Sequence, residues 1–279
     1  MRHDRNVVRA LDVLISLAES DDARRVRDRI GAAEAPEATV PPAWGGLSSV
    51  ASGALPASAL LWMLEEDRPQ TNEAVVLQAG LPVALELAVL AGEPFGPDAG
   101  RTVPLTDGLH RHRRPQGVEL LPAEELIPAL RAVETMRQGH RAAKRLSRKD
   151  WARVFEADVE QPLPGYARWA LALRPDCPAA LRERFSGHRS YEHRMRTGGI
   201  VDGPGTYVRE WRPARHVLAV LDVGRWAFPT RFPEAEEVLR PMVRGSLGGD
   251  IEAWAVLAQL LPTFTGTVPE LIVTARAIA

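Results

Sequence analysis

Cysteine is almost missing from this chain: among 279 residues only Cys177 carries a thiol. That excludes an internal disulfide framework and a multi-cysteine zinc site, and it suits a reducing compartment. Lysine is nearly as scarce, since Lys144 and Lys149 are the only two among 35 basic residues. An excess of one charge is lacking too. The 36 acidic side chains leave a formal net charge of -1. Broad attraction to nucleic acid or to anionic membranes rests on surplus positive charge, so neither is expected of the surface as a whole, and only a local patch could supply it. Long apolar runs are also absent. Leu81 to Ala91 is interrupted by Glu86 and falls short of the roughly 20 residues that span a bilayer. Near the N-terminus, Arg9 and Asp12 interrupt the first apolar run and no small-residue cleavage site follows, so no secretion signal is expected. These absences predict a cytoplasmic protein with no membrane partner.

What the chain has is apolar content at helical spacing, cut often by proline. Hydrophobic residues make up 45% of it, enough to bury a substantial core. The segment Ser147 to Gly187 shows the grammar most fully. Ser147 with Asp150 has capping-box spacing ahead of a helix carrying Trp151, Val154 and Phe155. Pro162 and Pro164 then break the pattern before a second helix with Tyr166, Trp169, Ala170 and Leu173, and Pro178 opens a third with Leu181 and Phe185. The same grammar predicts helices over Asp4 to Ala18, around Val26 and Ile30, after Pro56, after a cap at Asn72, and after Pro82. One further helix is expected over Pro122 to Leu146, kinked at Pro128 and weak at Gly139. Towards the C-terminus Asp250 caps one helix, and Thr267 with Glu270 forms a capping box for the last.

The pattern fails in three places. Ala33 to Gly46, rich in proline, alanine and glycine, reads as a linker anchored by Trp44. His188 to Arg212, with glycines at 198, 199, 203 and 205, reads as a hairpin or an irregular excursion. Glu93 to Leu121 reads as a long loop or a small hairpin, and the lobe boundary is placed there: residues 1–98 form an N-terminal helical lobe, 99–121 a linker and 122–279 a C-terminal helical-repeat lobe. The fold class is all-α, with stacked helical hairpins.

Two segments share a form. YARWALALRPDCPAAL and IEAWAVLAQLLPTFTGTVPEL each place an aromatic in an alanine-rich helix, then a proline turn, then a helix opened by proline. Such segments resemble the HEAT-like and leucine-rich-repeat-variant families of α-solenoids, with RWALALRPDCPAAL the nearest match. The resemblance covers about a third of the chain, implies an irregular solenoid, and carries over no functional residue. The arginine bias, in turn, resembles an actinobacterial product encoded by a GC-rich genome.

The best electrostatic feature is the tract Arg137, His140, Arg141, Lys144, Arg145, Arg148 and Lys149, which contains no acid. Positions 137, 141, 144 or 145, and 148 fall along one helical face, so these cations form the candidate binding site. His110 and His112 would share a face on a strand and could then hold a metal, but no third ligand lies nearby, and no metal or other cofactor is expected. Cys177, in a proline turn with no histidine close in sequence, reads as structural. The glycine-rich GGIVDGPG lacks the lysine of a phosphate-binding loop, and no G-x-S-x-G elbow is present. The expected function is a non-catalytic scaffold or adaptor whose partner is another protein. The alternative is a HEAT-like nucleic-acid-binding protein or DNA glycosylase working through the basic stretch at 137–149.

Overall fold

Short apolar stretches closed off by prolines and glycines give short helices, and a computed structural model of the chain shows little else. It describes residues 5–31, 55–78, 81–97, 100–112, 119–187 and 190–279. Among the described residues there are seventeen α-helices and no strand, so the chain is all-α. In chain order they are α1 (Arg5–Ile15), α2 (Ser20–Ile30), α3 (Ala57–Leu64), α4 (Pro69–Gln78), α5 (Val83–Leu90), α6 (Asp107–Arg111), α7 (Ala123–Arg131), α8 (Met136–Lys144), α9 (Trp151–Glu160), α10 (Gly165–Ala172), α11 (Ala179–Phe185), α12 (Tyr191–Thr197), α13 (Pro204–Glu210), α14 (Ala214–Ala227), α15 (Phe232–Met242), α16 (Ile251–Leu260) and α17 (Val268–Ile278). Their lengths vary from five to fourteen residues, and no constant hairpin repeat is evident among them. The linker expected at Ala33 to Gly46 lies outside the described residues.

By its internal contacts the chain forms two units, one from Met1–Leu55 with Asp202–Ala279 and the other from Pro56–Val201. This division does not coincide with lobes at 1–98 and 122–279 separated by 99–121. Breaks in helical pattern mark where helices stop, whereas units are set by which apolar faces meet, and in the first unit those faces are far apart in sequence. There α1 packs on α14 and α2 packs on α16. Leu11 and Leu14 are buried, as are Val217, Leu218 and Leu221, so both sides of the α1–α14 contact leave water. A polar pin joins the same elements. Asp12 accepts from Arg27 at 2.8 Å and lies 3.4 Å from Arg225, and a second nitrogen of Arg225 donates to the Ser16 hydroxyl at 2.6 Å.

The second unit holds α3 to α12 around Leu126, Leu130, Leu146, Val154, Leu171 and Leu181. Its most deeply buried charge is Asp158 on α9, whose side chain is 0% exposed. One oxygen accepts from the Leu163 amide and from Arg168, both at 2.9 Å; the other accepts from Arg184 at 3.1 Å. Burial alone would raise this carboxyl's pKa, but the Leu163 N–H and the two guanidinium groups outweigh it and hold the group below the usual carboxylate range. The side chain ties α9, α10 and α11 together.

Local readings of the sequence need several corrections. Asn72 is buried inside α4 rather than capping it, because Pro69 already supplies the first helical residue. The helix expected over Pro122 to Leu146 is two helices. Thr135 and Gln138 form a capping box that restarts the chain as α8 after α7. Ser147 accepts from the Lys149 amide within a 3-10 turn, Arg148–Asp150, so it does not cap α9 by the expected box. Among the described residues of His188 to Arg212 there is no hairpin but two helices, α12 and α13, with Gly199 and Gly203 at positive φ between them. By contrast, Asp250 caps α16 by accepting from the Ala253 amide, and the Thr267–Glu270 box is complete.

Candidate functional site

The basic tract begins on α8, a helix whose two faces differ sharply. Gly139, Ala142 and Ala143 form its buried side and meet α10. The approach is so close that a Cβ added to Gly139 would lie 2.5 Å from the Tyr166 carbonyl oxygen and 3.2 Å from the Ala170 methyl. Small residues are what permit two helices to sit that near. The C-terminal end of α8 is fixed by Arg174, which is 6% exposed and donates one nitrogen to the carbonyls of Ala143 (2.8 Å) and Leu146 (2.6 Å). One of these carbonyls lies in the last turn of α8 and the other just beyond it, where fewer backbone amides remain to serve them. Arg174 is in turn held by Asp176 at 2.9 and 2.6 Å, and Asp176 also accepts from the Trp151 indole N–H at 3.0 Å.

On the outer side of this anchored helix, Arg137, His140, Arg141 and Lys144 are all exposed. Their spacing of three, four and seven residues sets them in one stripe, about 10 Å long at 1.5 Å per residue. No carboxylate among the described residues pairs with Arg137, Arg141 or Lys144, whereas arginines elsewhere, such as Arg27, Arg168, Arg174 and Arg225, are spent on internal acids. Partial burial, and then the neighbouring Lys144 charge, push the His140 pKa below its ordinary value. The stripe therefore carries its charge on the three long side chains.

The rest of the tract leaves this face, because α8 ends at Lys144 and the chain then turns. Arg145 folds back to donate to the Glu119 carbonyl at 2.8 Å. Arg148 donates to the Pro94 carbonyl at 2.9 Å and lies over the Phe95 ring, 3.8 Å from its centroid. Lys149 pairs with Glu93 at 2.8 Å. Of the five candidate binding cations, Arg137, Arg141 and Lys144 share one face of α8, and Arg145 and Arg148 do not.

Other candidates resolve into structural parts. His112 contacts Glu86 at 2.8 Å and His110 sits on α6, so the two histidines do not line one face of a strand. No metal-binding group of three or more side chains occurs among the described residues. Cys177 is buried, and burial pushes its thiol up to about 12. Trp151 and Trp254 are core residues, but Trp169 is half-buried with Arg194 stacked on it at 3.7 Å, and Tyr166 beside it is 44% exposed. The anchoring pair Arg174 and Asp176 is not apparent from sequence patterning. Its only trace is RPD, where the proline between them fixes the turn.

No protein-family model, no curated protein and no solved structure matches the chain. No described helix is long and apolar enough to cross a membrane.

Proposed function

We propose that this protein is a helical interaction module, and that the outer face of α8 receives an acidic segment of a protein partner. The observation that carries this reading is the stripe itself: Arg137, Arg141 and Lys144 are exposed and unpaired among the described residues, on a helix pinned from behind by Gly139 and Arg174. A rigid element costs little further ordering entropy when it binds, and carboxylates at matching helical spacing would complement it. The short stripe favours protein over nucleic acid. Three cations along about 10 Å engage only a few phosphates, and a net charge of -1 offers no long-range steering towards a polyanion.

The test uses the full chain with a photo-crosslinking residue at position 140, in lysate of the source organism, with and without nuclease. The expected result is a crosslink to an acidic peptide, mapped by mass spectrometry, that survives nuclease and disappears in the Arg137→Glu, Arg141→Glu, Lys144→Glu triple variant. An unchanged crosslink in that variant overturns the reading. A nuclease-sensitive adduct would transfer the stripe to nucleic-acid binding.

A further inference from the structure

A cleft of about 620 Å³ opens in the second unit, away from the outer face of α8. Three cations line it, Arg101, Arg148 and Lys149, with two acids, Glu93 and Asp176, and the indole of Trp151. Both acids are already committed. Glu93 pairs with Lys149 at 2.8 Å, and Asp176 takes both Arg174 and the Trp151 N–H. Neither Arg101 nor Arg148 makes a direct ion pair with a carboxylate among the described residues, although Asp176, Glu93 and Asp67 act on Arg148 through space.

Arg148 is the better placed of the two. One of its nitrogens is fixed on the Pro94 carbonyl, and its guanidinium carbon lies over Phe95, 3.8 Å from the ring centroid. The backbone beneath is fixed as well, because Asp67 accepts the Phe95 and Gly96 amides at 2.7 and 3.0 Å. No described residue takes the Nε–H or the second terminal nitrogen of Arg148. A planar cation held rigid, half-buried and with donors left over is suited to a two-point contact with an oxyanion. Partial desolvation strengthens such a contact relative to one made in open water.

We propose that this cleft binds a small molecule through a phosphate or carboxylate group, with Arg148 as the anchor and Arg101 as the second cation. Trp151 and the backbone at Gly92 to Pro94 form the walls that limit the ligand to small-molecule size. This site is independent of α8 and stands whether or not the outer stripe binds a partner.

The experiment titrates the full chain with inorganic phosphate and, separately, with malonate. It follows thermal midpoint and the arginine Nε–H resonances at constant ionic strength set by chloride. A saturable rise in midpoint, with a shift of one Nε–H signal that is missing in Arg148→Gln, is expected. Arg101→Gln, on an exposed side chain outside the packing, should weaken apparent affinity at least tenfold, while Arg137→Gln on α8 leaves it unchanged. Phosphate exceeding malonate identifies a phosphorylated ligand, and the reverse order a carboxylate. If neither anion acts beyond matched chloride, or if Arg101→Gln titrates as the parent does, the proposal is wrong. The second variant decides the matter even if Arg148→Gln does not fold.

Discussion

The backbone of Gly139 lies so near the carbonyl oxygen of Tyr166 that a methyl group on the glycine would sit 2.5 Å from it. Alanine in a helix interior ordinarily gains about 1 kcal/mol over glycine, but overpacking against backbone costs about 1–3 kcal/mol. The neighbouring atom is a carbonyl and cannot rotate away. Gly139→Ala is therefore expected to lose up to about 2 kcal/mol of stability, read as a lower midpoint in a denaturant titration. A midpoint above the parent's would mean that α8 and α10 separate at little cost, and the rigid-platform argument for the stripe would fail with it.

Asp158 supplies a pH signature. Its folded-state pKa is held below the ordinary carboxylate value, so the stability it contributes is present above that ordinary value and is lost as pH falls through the lowered one. Asp158→Asn should cost about 2–3 kcal/mol near neutral pH, discounted because Arg184 keeps 39% of its side chain in solvent. The variant should also show a flatter decline between about pH 5 and pH 2. Denaturant midpoints measured across that range check both; parallel curves for parent and variant would remove Asp158 from the acid limb.

Asp12 links residues more than two hundred positions apart, since Arg225 donates both to its carbonyl and to Ser16. Asp12→Ala leaves Arg27 and Arg225 without their shared acid. Amides of α14 are expected to exchange faster by hydrogen–deuterium mass spectrometry, while those of α9 to α11 keep the parent's protection. Equal acceleration in both sets would show that the two units unfold as one.

Cys177 should be inert in the folded protein. With its thiol pushed up to about 12 and the side chain buried, it is expected to resist Ellman's reagent at pH 8 and to react with one equivalent after denaturation. Rapid native reaction would place the RPDC turn in an open conformation.

Helices announced by local chemistry were legible in the sequence. Asp250 and Thr267 bond to amides three residues on, and the residue types alone reveal that. Thr135 with Gln138 uses the same chemistry, yet the surrounding apolar spacing of Leu130, Val133 and Met136 masks it, and α7 and α8 read as one helix. The glycines of 198 to 205 read as irregular structure, although they punctuate two helices. At the candidate site, the helical period places Arg137, Arg141 and Lys144 together on α8. Arg148 departs because the helix ends at Lys144, and what it stacks on, Phe95, lies 53 positions earlier, beyond the reach of any periodic pattern. The division into units escaped for the same reason: α1, with Leu11 and Leu14 buried, packs on α14, and nothing near α1 names that partner.

The pairing of α1 with α14 has a consequence during synthesis. A ribosome adding 5–20 residues per second needs roughly 10–40 s to make the residues that separate Asp12 from Arg225. For that interval Leu11 and Leu14 have been translated but their partners have not, while the segment from Pro56 to Val201 emerges complete with its own core. The apolar faces of the first two helices thus stay uncovered until the residues from Asp202 onward arrive to pack on them.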